Sequence, residues 1–174
     1  MKNSIIILVA LLLGLSSCEK AEKTAFIDLN KVVEEYNVMK NIKEEFKAKE
    51  EAFNKKYDSI GRAFQQEYQK FLAKAGRMNP KKAQKLYDEF MAEQQRIGLQ
   101  QQQEAQQLQQ EFEKASEEAS EKLKKFIEEY GKSHNFTYIF SRTELSGVAY
   151  GKEDKDITDE LLDALNNSSG ETKK

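Results

Sequence analysis

The sequence has no tryptophan and only one proline, one cysteine and one histidine in 174 residues. Each scarcity excludes something. Cys18 stands alone, so no internal disulfide is available. His134 stands alone too, and no nucleophile–base pair, metal-ligand cluster or glycine-rich phosphate loop occurs at a fixed spacing, so no catalytic residue, metal or cofactor is expected. A structural or exposed role suits this histidine. Apolar runs are short: Ile5 to Leu13 is an uncharged apolar run too short to span a bilayer. Excess charge of one sign is also missing. The formal net charge is −2, which excludes a general nucleic-acid binder and confines any electrostatic role to a local patch.

What is present is charge of both signs, 33 % of the residues, with a mean hydropathy of −0.80. That composition belongs to long solvated helices rather than to a compact enzyme. The N-terminus reads as a signal peptide over 1–17: a positive start at Lys2, the apolar run, then Leu15-Ser-Ser-Cys18. This last group resembles the lipobox of bacterial lipoproteins, and implies that Cys18 carries the lipid and begins the mature chain. Residues 18–24 would be a polar tether.

Thr24 to Leu29 alternates as a half-buried strand does. Beyond Asn30 turn residues vanish and an apolar stripe begins: Ile42, Phe46, Phe53, Tyr57, Ile60, Phe64, Tyr68, Phe71, Ala75, interrupted only by Lys49. It repeats every 11 residues, or 3.67 per turn, so it stays on one helix face with little supercoiling. A second arm shows the same period at Leu86, Ile97, Leu108, Ala119 and Tyr130, and at Phe90, Gln101, Phe112 and Leu123. Between the arms, Gly76 suits a helix end and Asn79-Pro80 a restart, with asparagine as cap and proline at the first helical position. Residues 37–130 are therefore expected to form an antiparallel helical hairpin with arms about 55 to 75 Å long.

After Gly131, Phe136 to Phe140 and Gly147 to Tyr150 read as strands, and Asp156 or Thr158 opens a short amphipathic helix. Residues 25–36 and 131–166 would make the body and 167–174 a polar tail. Roughly 50 residues outside the hairpin are too few for a comfortable core, and pooling strands between copies is the natural remedy.

The segments "AFIDLNKVVEEY" (25–36) and "FTYIFSRTELSGVAYGKEDKDITDELLDALN" (136–166), in this order around a helical hairpin, resemble the Skp/OmpH family of periplasmic chaperones. The resemblance covers roughly residues 24–165. It implies an α+β, mostly α chain in which the hairpin is inserted between short strands, assembled as a homotrimer around a shared β-barrel. Phe26, Ile27, Tyr138, Phe140, Val148 and Tyr150 then fall in the trimer body. It also implies an ATP-independent holdase that keeps unfolded outer-membrane proteins in a cavity between helical tentacles, in the bacterial envelope and facing the periplasm. The alternative is a structural coiled-coil lipoprotein that holds a folded partner. This chain departs from the best-known members in its lipobox and in its mildly acidic balance.

Three features carry the functional expectations. Phe46, Phe53, Tyr57, Phe64, Tyr68, Phe71, Phe90, Ile97 and Phe112 either close the seam between the arms or touch client chains. Ten glutamines between Gln94 and Gln110 leave the second arm poor in large apolar cover. Gly61 and Gly98, at similar height on opposite arms, form a hinge or mark close packing. Lys74, Arg77, Lys81, Lys82 and Lys85 cluster at the turn, as a solvated loop or as a contact for acidic client segments or anionic lipid.

Overall fold

A computed structural model describes residues 22–143 and 147–170. The expected signal peptide, Cys18 and the end of the polar tail lie outside these residues. The described elements are β1 (Thr24–Asp28), α1 (Leu29–Glu35), α2 (Asn37–Ala75), α3 (Pro80–Ser133), β2 (Tyr138–Arg142) and α4 (Thr158–Gly170), with one 3-10 turn at Glu153–Lys155. β1 and β2 pair in parallel, from Thr24 opposite Tyr138 to Asp28 opposite Arg142. Parallel neighbours need a long crossover. Here that crossover is the whole helical hairpin.

The hairpin arms contain 39 and 54 residues, about 60 and 80 Å at 1.5 Å per residue. At the tip the Asn79 side chain accepts from the Lys81 amide at 3.0 Å and Pro80 opens α3, where its missing N–H costs nothing. Along α2, burial follows the stripe from Ile42 to Ala75 position by position. On α3 it follows both series except at Gln101, which is exposed, while Gln100 and Glu104 take the seam beside it. The break is confined to that one position, and Leu108, Phe112, Ala119, Leu123 and Tyr130 keep the period beyond it.

The core sits at the base, where Ala25, Ile27, Val32, Tyr36, Ala119, Leu123, Tyr130, Ile157, Leu161 and Leu165 pack together. It draws on β1, α1, the end of α3 and α4. Helix does not run unbroken from α1 into the arm. Tyr36, 2 % exposed, is extended (φ −64°, ψ 118°), and Asn166 of α4 bridges the break. The Asn37 amide donates to its side-chain oxygen at 2.8 Å, and its side-chain nitrogen donates to the Glu35 carbonyl at 3.3 Å. These bonds satisfy backbone groups that the interruption frees.

Two sequence expectations are corrected around β2. The strand begins at Tyr138 rather than Phe136, because α3 ends in a left-handed Asn135 (φ 56°) and the Phe136 amide still bonds back to Gly131. No regular strand forms over Gly147–Tyr150. Gly147 makes only an isolated bridge to Arg142, with φ at 102°, a turn conformation that carries the chain away from the sheet. Gly151 is required for a different reason: a Cβ there would lie 2.2 Å from the Phe26 ring.

One polar network ties the strand ends to α4. Arg142 lies 3.4 Å from Asp28 and 3.7 Å from Asp156. The Asp28 amide donates to the Thr158 hydroxyl at 2.8 Å, and that hydroxyl donates to Asp156. The Lys31 amide chiefly holds the Asp28 carboxyl below its ordinary pKa, with Arg142 adding to it against partial burial. Elsewhere in the body, Tyr130 donates to Glu160 at 2.8 Å, and burial, reinforced by that bond, pushes its phenol up to about 12.

These shifts predict stability limits at both ends of the pH scale. The Asp28 contribution is complete above its ordinary value near 4 and is lost as pH falls through the lowered folded value. The Tyr130 contribution is complete below about 10 and is lost as pH rises through about 12. Urea midpoints measured from pH 2 to 12 should fall at both ends, and Tyr130→Phe should remove the alkaline fall while leaving the acid one.

Candidate functional site

The exposed apolar surface lies in two places, the arm and the outer face of β2. On the arm, aromatic side chains cross the seam in two groups. Phe46 meets Phe112 edge-on at 5.3 Å, toward the body. Nearer the tip, Phe64, Tyr68 and Phe71 gather on Phe90 at 5.8, 5.4 and 5.2 Å. Tyr57 and Phe71 are buried, while Phe46, Phe53, Phe64, Tyr68, Phe90, Ile97 and Phe112 remain half-buried, with one side open to solvent.

Between the groups the seam is polar. Lys56 bonds Glu104 at 2.7 Å, and Lys49 sits 2.9 Å from Glu45 and 3.4 Å from Glu111. The side-chain hydrogen bond to Glu45 leads in raising the Lys49 pKa, and that to Glu104 in raising the Lys56 pKa. Both lysines are well exposed, so the pairs set the register of the arms more than their stability. Tyr57 is buried beside them. Its hydroxyl faces Glu104, which also takes Lys56.

Gly61 and Gly98 lie one turn further on, at matching height, judging by the Lys56–Glu104 and Phe64–Phe90 pairings on either side. A Cβ at either meets nothing within 4 Å. This overturns close packing as the reason for these glycines. At the tip, Lys74, Arg77, Lys81, Lys82 and Lys85 are all exposed, and among the described residues only Lys85 has an acidic partner, Glu89 at 3.8 Å. Leu72 and Tyr87 flank them, also exposed.

At the body, the two edges of the sheet differ. The Ile157 amide donates to the Phe26 carbonyl at 3.0 Å and closes the β1 side. The β2 side carries only the Gly147 bridge among the described residues. Its outer face presents Tyr138 and Phe140, 54 % and 49 % exposed with rings 5.7 Å apart, and Tyr150 beyond them is 83 % exposed.

Residues 23–165, the paired strands with the hairpin between them and α4, match the family described as outer membrane protein, OmpH-like. The chain belongs to the OmpH-like family. Among solved structures, a Caulobacter crescentus protein described as an OmpH-like outer membrane chaperone superposes with a TM-score of 0.76 at 16 % identity. The alignment covers 84 % of this chain and 85 % of that one, so the two share a fold over nearly their whole lengths. No curated protein matches.

Within this OmpH-like chain, the proposed site residues divide into three separate places. The nine apolar arm residues line one seam, and the five cations lie at its far end. Of the six body residues, Phe26 and Ile27 are buried within the chain itself, Val148 is half-buried, and Tyr138, Phe140 and Tyr150 face outward. His134 is exposed and stacks on Tyr130 with 3.9 Å between ring centres. Sequence reasoning did not single out Glu104, Glu111 or Asn166. The signal for the first two was the failed apolar register near Gln101.

Proposed function

We propose that the chain is an ATP-independent holdase chaperone that binds unfolded outer-membrane proteins between the arms of a homotrimer and keeps them from aggregating. The observation that carries this reading is an aromatic seam half-open to solvent along two helices that project far beyond the chain's own core. Membership of the OmpH-like family supports it, as does the described role of the Caulobacter structure. Many weak apolar contacts suit a client that must stay unfolded and leave without an energy source. Diluting a urea-unfolded outer-membrane barrel protein into buffer with the mature chain should suppress light scattering near one trimer per client, without nucleotide. No suppression at several-fold excess would move the reading to a scaffold for a folded partner.

In this reading Cys18 carries the lipid and the chain faces the periplasm. Lys23 bonds the His134 carbonyl at 2.9 Å, so the N-terminus leaves the described body at the base of the arm, away from the tip. The five residue-to-residue steps from Cys18 to Lys23 reach at most about 18 Å, whereas the tip is about 80 Å from the base. The tether therefore holds the base, not the tip, at the bilayer. The basic tip addresses acidic client segments or anionic lipid head groups. Reversing its five charges should weaken client binding at low salt and have little effect at high salt.

Gly61 and Gly98 are the hinge of this reading. Replacing both with alanine should stabilise the arm by about 1 kcal/mol per site, since the new Cβ atoms enter open space. It should also narrow the range of client sizes held. Equal protection of small and large barrels by the double variant would remove the hinge.

A further inference from the structure

Between residues 43–54 and 105–112 the two sides of the hairpin differ. Residues one position before the α2 stripe, Glu45 and Lys56, lie on the side tied by the Lys49–Glu111 and Lys56–Glu104 pairs. Gln107 and Gln100 brace the two glutamates at 3.0 and 3.1 Å. That side also opens, into a cleft of about 440 Å³ over Phe53 and Leu108, but the charges on its rim, Lys49, Glu104 and Glu111, are held in ion pairs. Residues one position after the stripe, Lys43, Lys47, Glu50 and Asn54, fall on the other side because each step turns about 100°. There the seam opens into a cleft of about 430 Å³ floored by Phe46, Phe53, Leu108 and Phe112. It exists because Ala105 is too small to fill it.

The rim supplies a charge preference. Lys43 and Lys47 line the cleft and, among the described residues, neither has an acidic partner within ion-pair distance. Glu50 is the one carboxylate there, so the rim is net positive in a chain that is net negative. We propose that this cleft is a subsite for an extended, unfolded chain, taking one large apolar side chain whose neighbouring carboxylate lies against Lys43 and Lys47. Side chains two residues apart in an extended segment point the same way, so an acid at that spacing reaches the rim while the apolar group enters the cleft. The proposal rests on the holdase reading and names the segment that the arm prefers.

The test uses fluorescein-labelled ten-residue peptides with a central phenylalanine and aspartate, serine or lysine two residues to either side, plus a central-alanine control. Anisotropy with the mature full-length chain should rank aspartate above serine above lysine, with about tenfold between the extremes at low salt, and the control should not bind. K43E/K47E should reverse that order. A105W should fill the cleft and weaken all peptides about tenfold or more, with helicity and melting unchanged. An order unaltered by K43E/K47E, or undiminished binding by A105W, overturns the subsite. Light scattering with a whole barrel client separates the two readings: suppression without a peptide preference leaves the holdase and removes the cleft, and a reversible preference without suppression does the converse.

Discussion

Leu161→Ala is expected to cost about 3 kcal/mol, more than any single truncation along the arm. Leu161 is fully buried, and it joins α4 to Val32, Tyr36 and Leu123 in the cluster that holds the strands, the arm base and the C-terminal helix together. The cavity left behind has little room to collapse, because the elements around it are fixed by the Asn166 bridge and the Asp28–Arg142–Asp156 network. Ile97→Ala, by contrast, removes a half-buried side chain from a seam that already opens to water, and about 1 kcal/mol is expected. The comparison calls for urea unfolding of both variants at one protein concentration, since oligomerisation would make midpoints concentration-dependent. A Leu161→Ala midpoint within about 0.5 kcal/mol of the parent would mean that the cluster is not what holds the body.

The ease with which each part could be read from sequence follows from how local its cause is. The α2 stripe and the Asn79-Pro80 restart depend on neighbours within one or two turns, and the burial of Ile42 to Ala75 and the Asn79 cap correspond to them. The family likeness was legible from the two segments that flank the hairpin. Non-local causes stayed hidden. Tyr36 breaks the helix because its ring is drawn into a core completed by residues more than 80 positions away. Gly147 to Tyr150 has strand composition but, among the described residues, only one bridge to Arg142. Gln101 alone leaves the α3 stripe, because the partner arm offers Lys56 there and Glu104 turns to that charge. The difference in rim charge between the two sides of the seam was likewise invisible, since it depends on which charged residues of one arm meet a partner on the other.

The second large effect is expected at the β2 edge. Tyr138→Asp with Phe140→Asp should turn a trimer into monomers at micromolar concentration. Both rings are half-exposed in the single chain and touch each other, so their replacement costs the isolated fold little. In an assembly that covers them, roughly 100 Å² of apolar area would be hidden per ring, or about 5 kcal/mol per chain for the pair at 25 cal/mol per Å². The aspartates would remove that gain and add buried like charges. A two-stranded sheet is marginal alone, and β2 carries the open edge, so a neighbouring copy is the natural place for its unpaired backbone groups. Sedimentation equilibrium on the mature chain and the double variant decides this. A parent that is monomeric at tens of micromolar rejects the shared sheet, and a variant that stays trimeric places the interface elsewhere. The variant also separates the arm from the cage. A monomer keeps its Phe46–Phe112 cleft and should bind short peptides as the parent does, but it loses the avidity of three arms acting on one client, an advantage of about 10² to 10⁴. Suppression of aggregation should therefore collapse while peptide binding persists.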